Sequence, residues 1–337
     1  MTVPRQPGLR YLSATDVAAA MPPLEERLHL AERTMTALAD GSGELPPKIG
    51  VHPRPAGAFA HAMPAYLSGS GPTAGGDLLG LKWIAGFSAN RTIGIPAIHG
   101  IVLLNDPATG RPTAILDAGP ITAERTAAVS GVAIARFAPA VTDRAPRAAL
   151  LGAGVQGRSH LAVIAYLLPG VELAVFDRHA DRAGELVAAA KDVQGIGAVR
   201  VTSTAIEATQ SADVVITAAS FAPRAERQVL TDGWLTSDAL VVAVDYATYV
   251  SADVARAAAL FLTDQREQFV ANRDAGNFDG YPDPTATLGE AILSGTSRPE
   301  RGRVLISHLG VGLADLVFGD AILRRAEAAG VGTMLAP

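Results

Sequence analysis

One segment constrains this chain more than any other: Ala148 to Arg178, AALLGAGVQGRSHLAVIAYLLPGVELAVFDR. A short apolar run enters the turn Gly152-Ala153-Gly154-Val155-Gln156-Gly157. An apolar, helix-compatible stretch continues to Leu168, Pro169-Gly170 stops it, and a second apolar run, Val171 to Phe176, ends at Asp177. Each part has a physical job. Gly152 permits a tight turn, Gly154 lets backbone N–H groups approach a pyrophosphate, and Gly157 lets helix and strand pack closely. The helix start then offers unpaired N–H groups to an anion. Asp177 lies twenty residues past Gly157, where an acid reaches an adenosine ribose. The segment reads as a dinucleotide site that takes in Gly152, Gly154, Val155, Gln156, Gly157, Asp177 and Arg178.

The chain beyond Arg178 supplies a sheet around that turn. Continuous apolar runs at 213–219, 239–245, 260–263 and 303–308 alternate with helical stretches, which implies a parallel sheet covered on both faces. Ligands of such sheets bind beyond the carboxyl ends of the strands, near Ala219, Asp245 and His308. Before the turn lie a helix over 22–40, strand-like segments at 48–52, 58–67, 79–87, 98–105 and 113–117, and a hairpin loop at 105–110. A long helix over 121–138, capped by Thr122, sets Arg125 in its first turn, where guanidinium and helix dipole add to make a carboxylate site. A last helix runs over 313–329, with Asp315 in its first turn.

Composition narrows the class. With 337 residues, 49% of them hydrophobic and 18% charged, the chain is globular. It has no cysteine, which excludes disulfides, thiolate metal sites and a cysteine nucleophile. A net charge of −5 argues against a nucleic-acid partner. No metal-type spacing joins the seven histidines, of which His61, His99 and His308 are candidate general acids. The opening MTVPRQPGLRYLS lacks the apolar core of a secretory signal and no run is long enough to span a membrane, so a cytoplasmic protein is expected. Of 28 basic residues only Lys48, Lys82 and Lys191 are lysine. Lys82 interrupts an apolar strand and Lys48 heads another, so both are candidates for a titratable ammonium.

The stretch KWIAGFSANRTIGIPAIHGIVLLNDPATGRPTAILDAGPITAERTAAVSGVAIARFA, followed by LLGAGVQGRSHL, resembles the ornithine cyclodeaminase/mu-crystallin family. The strand lysine, Asn90, the acid-x-x-Thr-Gly-x-Pro hairpin, the T-x-x-R-T-A-A helix and the GAGxQ turn occur in the family's order. The resemblance implies an α/β protein: a Rossmann-type parallel-sheet domain (122–309) and an α+β substrate-binding and dimerisation domain (1–121, completed by 310–337). It implies a homodimer, a bound nicotinamide dinucleotide and hydride transfer at C2 of amino or imino acids. It places Lys48, Lys82 and Arg125 on the substrate carboxylate, with His61 and Met63 beside it. Lys48 stands where the family has arginine. His61 stands where its cyclodeaminases have an acid, and Ala247 where they have a catalytic aspartate, with Asp245 two residues earlier.

The expectation is therefore an imino/amino acid oxidoreductase, with Lys82, Arg125, Asp315 and Asp245 as catalytic candidates and no metal. The alternatives are a cyclodeaminase that draws its acid from Asp245 or Asp315, and a nicotinamide-dependent ligand binder without turnover. Asp177 favours NAD, because it would repel a 2′-phosphate, whereas Arg178 would favour NADP.

Overall fold

A computed structural model describes residues 8–69 and 76–336. The first seven residues, on which the signal-sequence reading partly rests, lie outside them. The chain forms two compact units, one running to Arg125 and resuming at Val311, the other Thr126–Gly310.

The first unit is a sheet with helices. Its strands are β1 (Leu9–Leu12), β2 (Gly43–Glu44), β3 (Ile49–Val51), β4 (Phe59–Leu67), β5 (Leu78–Gly86), β6 (Ile98–Asn105), β7 (Pro112–Asp117) and the C-terminal β16 (Thr333–Leu335). Their order is β16-β1-β7-β6-β5-β4-β2, with β3 also on β4, and only the β1–β7 pair is parallel. Its helices are α1 (Ala14–Ala19), α2 (Leu24–Asp40), the start of α3 (Ala118–Phe137) and, near the C-terminus, α10 (Gly312–Ala328). Side chains alternate across a strand, so Met63, Lys82, Val102 and Leu116, level with one another on β4 to β7, share a face. α10 lies on that face. The α-carbon of Gly312 sits where a Cβ would come within 2.6 Å of the Met63 carbonyl oxygen, and Asp315, Leu316 and Gly319 continue the same stripe of the helix.

The long helix departs from expectation. α3 begins at Ala118, so Thr122 lies inside it and is no cap, and Arg125 sits in the third turn instead of the first. The reason is local. Asp117 ends β7 and its carboxylate accepts the Gly119 N–H at 2.8 Å. Pro120, which has no N–H to leave unpaired, fits the first turn.

The second unit holds β8 (Arg147–Leu151), β9 (Val171–Phe176), β10 (Ile196–Val201), β11 (Val214–Thr217), β12 (Leu240–Ala243), β13 (Leu260–Thr263), β14 (Ala286–Thr287) and β15 (Val304–Ser307). All pairs are parallel, in the order β10-β9-β8-β11-β12-β15-β13-β14. Strands β11, β12, β13 and β15 are buried at every residue, as their unbroken apolar runs require. Burying each such side chain is worth roughly 1.5–3 kcal/mol. The connecting helices are α4 (Val155–Leu167), α5 (Ala180–Ala190), α6 (Ala205–Thr209), α7 (Ala252–Ala257), α8 (Arg266–Asp274) and α9 (Leu288–Leu293). Strand order reverses between β8 and β11, the place where open α/β sheets bind ligands. Among the described residues, no helix is long and apolar enough to cross a membrane.

Candidate functional site

The second unit carries the nucleotide-type geometry. Gly152 has φ of +114°, and Gly157 lies so close to the turn that a Cβ on it would meet the Gly152 carbonyl oxygen at 2.1 Å. A Cβ on Gly154 would meet nothing within 4 Å. Gly154 is the N-cap of α4 and makes no side-chain cap hydrogen bond, so Val155 to Gly157 form the kind of helix start that suits an anion. Asp177, just past β9, accepts the Ala153 N–H at 2.8 Å on one oxygen and the His179 N–H at 2.9 Å on the other. It therefore ties the turn to the neighbouring strand besides facing a cleft. That cleft is lined by Gly152, Asp177, Arg178, Arg182, Ala219 and Tyr249, among others. Arg182 and Tyr249 are additions to the residues the sequence picks out. Arg182 is four residues past Arg178, a spacing that is visible in the sequence; nothing near Tyr249 marks it.

Asp245 lies just past β12 and is buried. The Thr217 hydroxyl donates to it at 2.9 Å. Burial pushes its carboxyl up to about 7, against the pull of the Thr217 and Ala219 hydrogen bonds. The next residues, Tyr246 and Ala247, have φ of 58° and 43°, and the Thr248 N–H closes the turn on the Asp245 carbonyl at 3.1 Å. Such left-handed residues cost on the order of 1 kcal/mol or more each. Ala247 is buried in that turn and offers no acid. The acid near the end of β12 is Asp245.

His308, just beyond β15, is buried at the end of a hydrogen-bonded chain that the sequence does not reveal. Its Nε2 lies 2.9 Å from the Ser130 hydroxyl, which lies 2.8 Å from His160 Nε2. His160 Nδ1 is 2.6 Å from the Gln156 carbonyl oxygen, one turn back on α4. Burial pushes the His160 imidazole down to about 4. The Gln156–His160 spacing of four is readable in the chain; the part of Ser130 is not.

The first unit gathers the charged candidates. Lys82 Nζ donates to Asp315 Oδ2 at 2.9 Å, Arg125 Nε to Oδ1 at 3.3 Å, and the Thr122 hydroxyl lies 3.4 Å from the same Oδ1. Lys82 is 1% exposed and Asp315 fully buried. Lys82 does not snorkel to solvent. Its burial pushes the ammonium down to about 7, with Asp315 pulling it up and Arg125 pushing it further down. Burial also pushes the Asp315 carboxyl up, but the charges and hydrogen bonds of Arg125 and Lys82 outweigh it and hold the group below the usual carboxylate range. Two cations around one carboxylate leave net positive charge. His61 and Met63 lie on the face of Lys82. His99 pairs with Ala85 and so points from the opposite face, away from this cluster. Among the described residues, no group of three or more His, Asp or Glu is arranged to hold a metal ion.

A parallel sheet with a glycine turn at its switch point, joined in one chain to a unit with a buried cationic cluster, defines an α/β protein of the dinucleotide-binding type. The chain matches the ornithine cyclodeaminase/mu-crystallin family model over residues 12–327 and belongs to that family. It is 34% identical over 332 residues to the nodulation efficiency protein NfeD of Rhizobium meliloti, covering 97% of this chain and 98% of the relative. It is 30% identical over 269 residues to ketimine reductase mu-crystallin of Mus musculus, covering 78% and 79%. Among solved structures, the Delta(1)-pyrroline-2-carboxylate reductase of Thermococcus litoralis, in complex with NADH and L-proline, superposes with a TM-score of 0.83 at 24% identity. That match covers 97% of this chain and 100% of the other, and it shows the shared fold.

Proposed function

We propose that the chain is a nicotinamide-dependent oxidoreductase that interconverts an imino acid and an amino acid by hydride transfer at C2. The observation that carries this reading is the Lys82–Asp315–Arg125 cluster, whose surplus positive charge suits a substrate carboxylate. A bound nicotinamide supplies or takes the hydride. Gly152, Gly154, Gly157 and the first turn of α4, with Val155 and Gln156, would hold its pyrophosphate; Asp177 and Ala219 would flank the rest. Arg125 and Lys82 hold the carboxylate and so fix the position of C2. Reduction of an imine also needs a proton on nitrogen. Lys82, brought near neutrality by burial, is matched to give it and to take it back in the oxidative direction. The mouse relative, a ketimine reductase by name, supports the choice of reaction. Asp177 favours NAD, and Arg178 and Arg182 in the same cleft make NADP the competitor.

A second reading, cyclodeamination, is favoured by one observation: Asp245 is a buried carboxyl titrating near neutrality, as a general base requires. We also read the protein as a cytoplasmic homodimer joined through the first unit. The sheet face opposite Lys82 leaves Trp83 and its neighbour Ile101 about two-fifths exposed. A second copy of the chain fits that apolar face, and a Trp83→Asp variant should sediment as a monomer where the parent sediments as a dimer.

The reaction is tested by giving purified protein cyclic imines, ornithine and lysine while following NADH, NADPH and free ammonia together. Imine-dependent consumption of reduced cofactor supports the oxidoreductase. Ammonia release with no net cofactor change replaces it with the cyclodeaminase. Cofactor binding with neither signal replaces it with a ligand binder.

A further inference from the structure

The face of the first unit that carries Lys82 holds more positive charge than one carboxylate uses. β3 pairs with β4 as Ile49–Ala62, Gly50–His61 and Val51–Ala60, and β4 pairs with β5 as His61–Ile84 and Met63–Lys82. Continuing the β3 ladder one residue beyond each end sets Lys48 level with Met63 and His52 level with Phe59. By the two-residue alternation of strands, Lys48, His52, His61 and Lys82 then share one face. His61 is half-buried, stacks on Phe59 with ring centroids 4.6 Å apart, and lies over Gly50, where a Cβ would sit 2.4 Å from its ring. Burial pushes its imidazole down to about 4, and the neighbouring charges that add to the push are all positive: Lys48, His52 and Lys82. The carboxylate that balances Lys82, Asp315, is already shared with Arg125.

We infer that this face takes a substrate with two carboxylates, a 2-imino or 2-amino dicarboxylic acid, with the second carboxylate held by Lys48 and His61. The inference rests on the reading above, in which Arg125 and Lys82 take the first carboxylate. Lys48 thereby serves the second carboxylate instead of the first. The charge pattern also selects against the alternative side chain. A diamino acid would bring its distal ammonium into a field set by Lys48 and by His52 at the rim, with no acid at position 61 to receive it. A second carboxylate has the opposite effect. As an anion beside His61 it favours the imidazolium, so binding takes up a proton. Affinity for a dianion should then rise as pH falls from neutrality toward about 4, while Lys82 carries its charge more fully over the same interval.

The test is calorimetric binding of L-aspartate, L-glutamate, L-alanine and L-ornithine to the full chain with NAD present, in two buffers of different ionisation enthalpy. The expected result is at least tenfold tighter binding of aspartate or glutamate than of alanine, more proton uptake with the dicarboxylates than with alanine, and the weakest binding for ornithine. A charge-assisted hydrogen bond of ordinary strength predicts that Lys48→Gln lowers the dicarboxylate-to-alanine affinity ratio by about tenfold or more. Lys48→Arg should keep the ratio, and His61→Gln should remove the extra proton uptake that the dicarboxylates show over alanine. Alanine or ornithine binding as tightly as the dicarboxylates, with the same buffer dependence, overturns the second subsite alone. A protein that binds NAD but none of the four amino acids overturns the reading of the whole carboxylate site.

Discussion

The turn at Gly152–Gly157 and the cluster at Lys82, Arg125 and Asp315 solve one problem, holding an anion, by opposite means. The turn uses backbone. Its donors are N–H groups, its shape is set by the absence of side-chain atoms, and every part falls within six residues. The cluster uses side chains from widely separated stretches of chain, Asp315 lying 233 positions after Lys82 and 190 after Arg125. A backbone site carries only partial charges, so it fails when an atom is added. A charged buried site fails when an atom is removed, because the partner charge is left in a medium that cannot solvate it. The two should therefore respond to mutation differently.

The largest effect should come from Asp315→Ala, which strands Lys82 and Arg125. Breaking a buried pair costs about 3–5 kcal/mol, readable as a lower urea midpoint at unchanged slope. An unshifted midpoint would mean that the three groups are not energetically coupled. The same cluster predicts a pH signature. Lys82 is held below its ordinary 10.5, so between about 7 and 10.5 the unfolded chain binds the extra proton and the Lys82 contribution to stability rises with pH. Asp315 acts in another window: its stabilisation is present above its ordinary 3.8 and is lost as pH falls through its lower folded value. Lys82→Met should abolish the alkaline slope and leave the rest of the profile in place.

Arg125→Gln comes next. Loss of one charge-assisted hydrogen bond to substrate, roughly 1.5–3 kcal/mol, corresponds to a fall in kcat/KM of about 10- to 150-fold. Full retained activity would remove Arg125 from the site. Gly157→Ala adds an atom to the backbone site, which should cost about 1–3 kcal/mol of stability and weaken dinucleotide binding in direct titration. Asp177→Ala should be mildest, about 1 kcal/mol, because the Ala153 and His179 N–H groups lose their acceptor at a partly exposed position. If Asp177→Ala proves worse than Gly157→Ala, the turn is held by its acid more than by its packing.

The same contrast decides how much a sequence can reveal. Strand, turn, helix and acid from Ala148 to Asp177 are local and show directly in residue type and spacing. β9, β6 and β13 fall where their apolar runs begin and end. Short strands at or next to a sheet edge, such as β1, β14 and β16, carry too few residues for a period to show. α1 is likewise too short for a period, and only the capping box of Ser13 and Asp16 signals it. Arg125 lies deeper in its helix than Thr122 suggests, since the group that accepts at the helix start is Asp117. Resemblance singles out Lys82 and Arg125, and its place in the last helix singles out Asp315, but their convergence on one carboxylate is not legible, because no spacing encodes a contact across most of the chain. His99 shows the limit most simply: only register reveals which face of a strand a histidine takes.

The buried chain through Ser130 has a polarity that its atoms impose on one another. The Gln156 carbonyl can only accept, so the neutral His160 must spend its single N–H there and present a bare lone pair at Nε2. The Ser130 hydroxyl has one proton and must give it to that lone pair. Its oxygen is then left to accept from His308, whose Nε2 must carry hydrogen. Two chemically identical rings are thereby assigned opposite duties, one the receiver and one the giver, by a carbonyl in the first turn of α4.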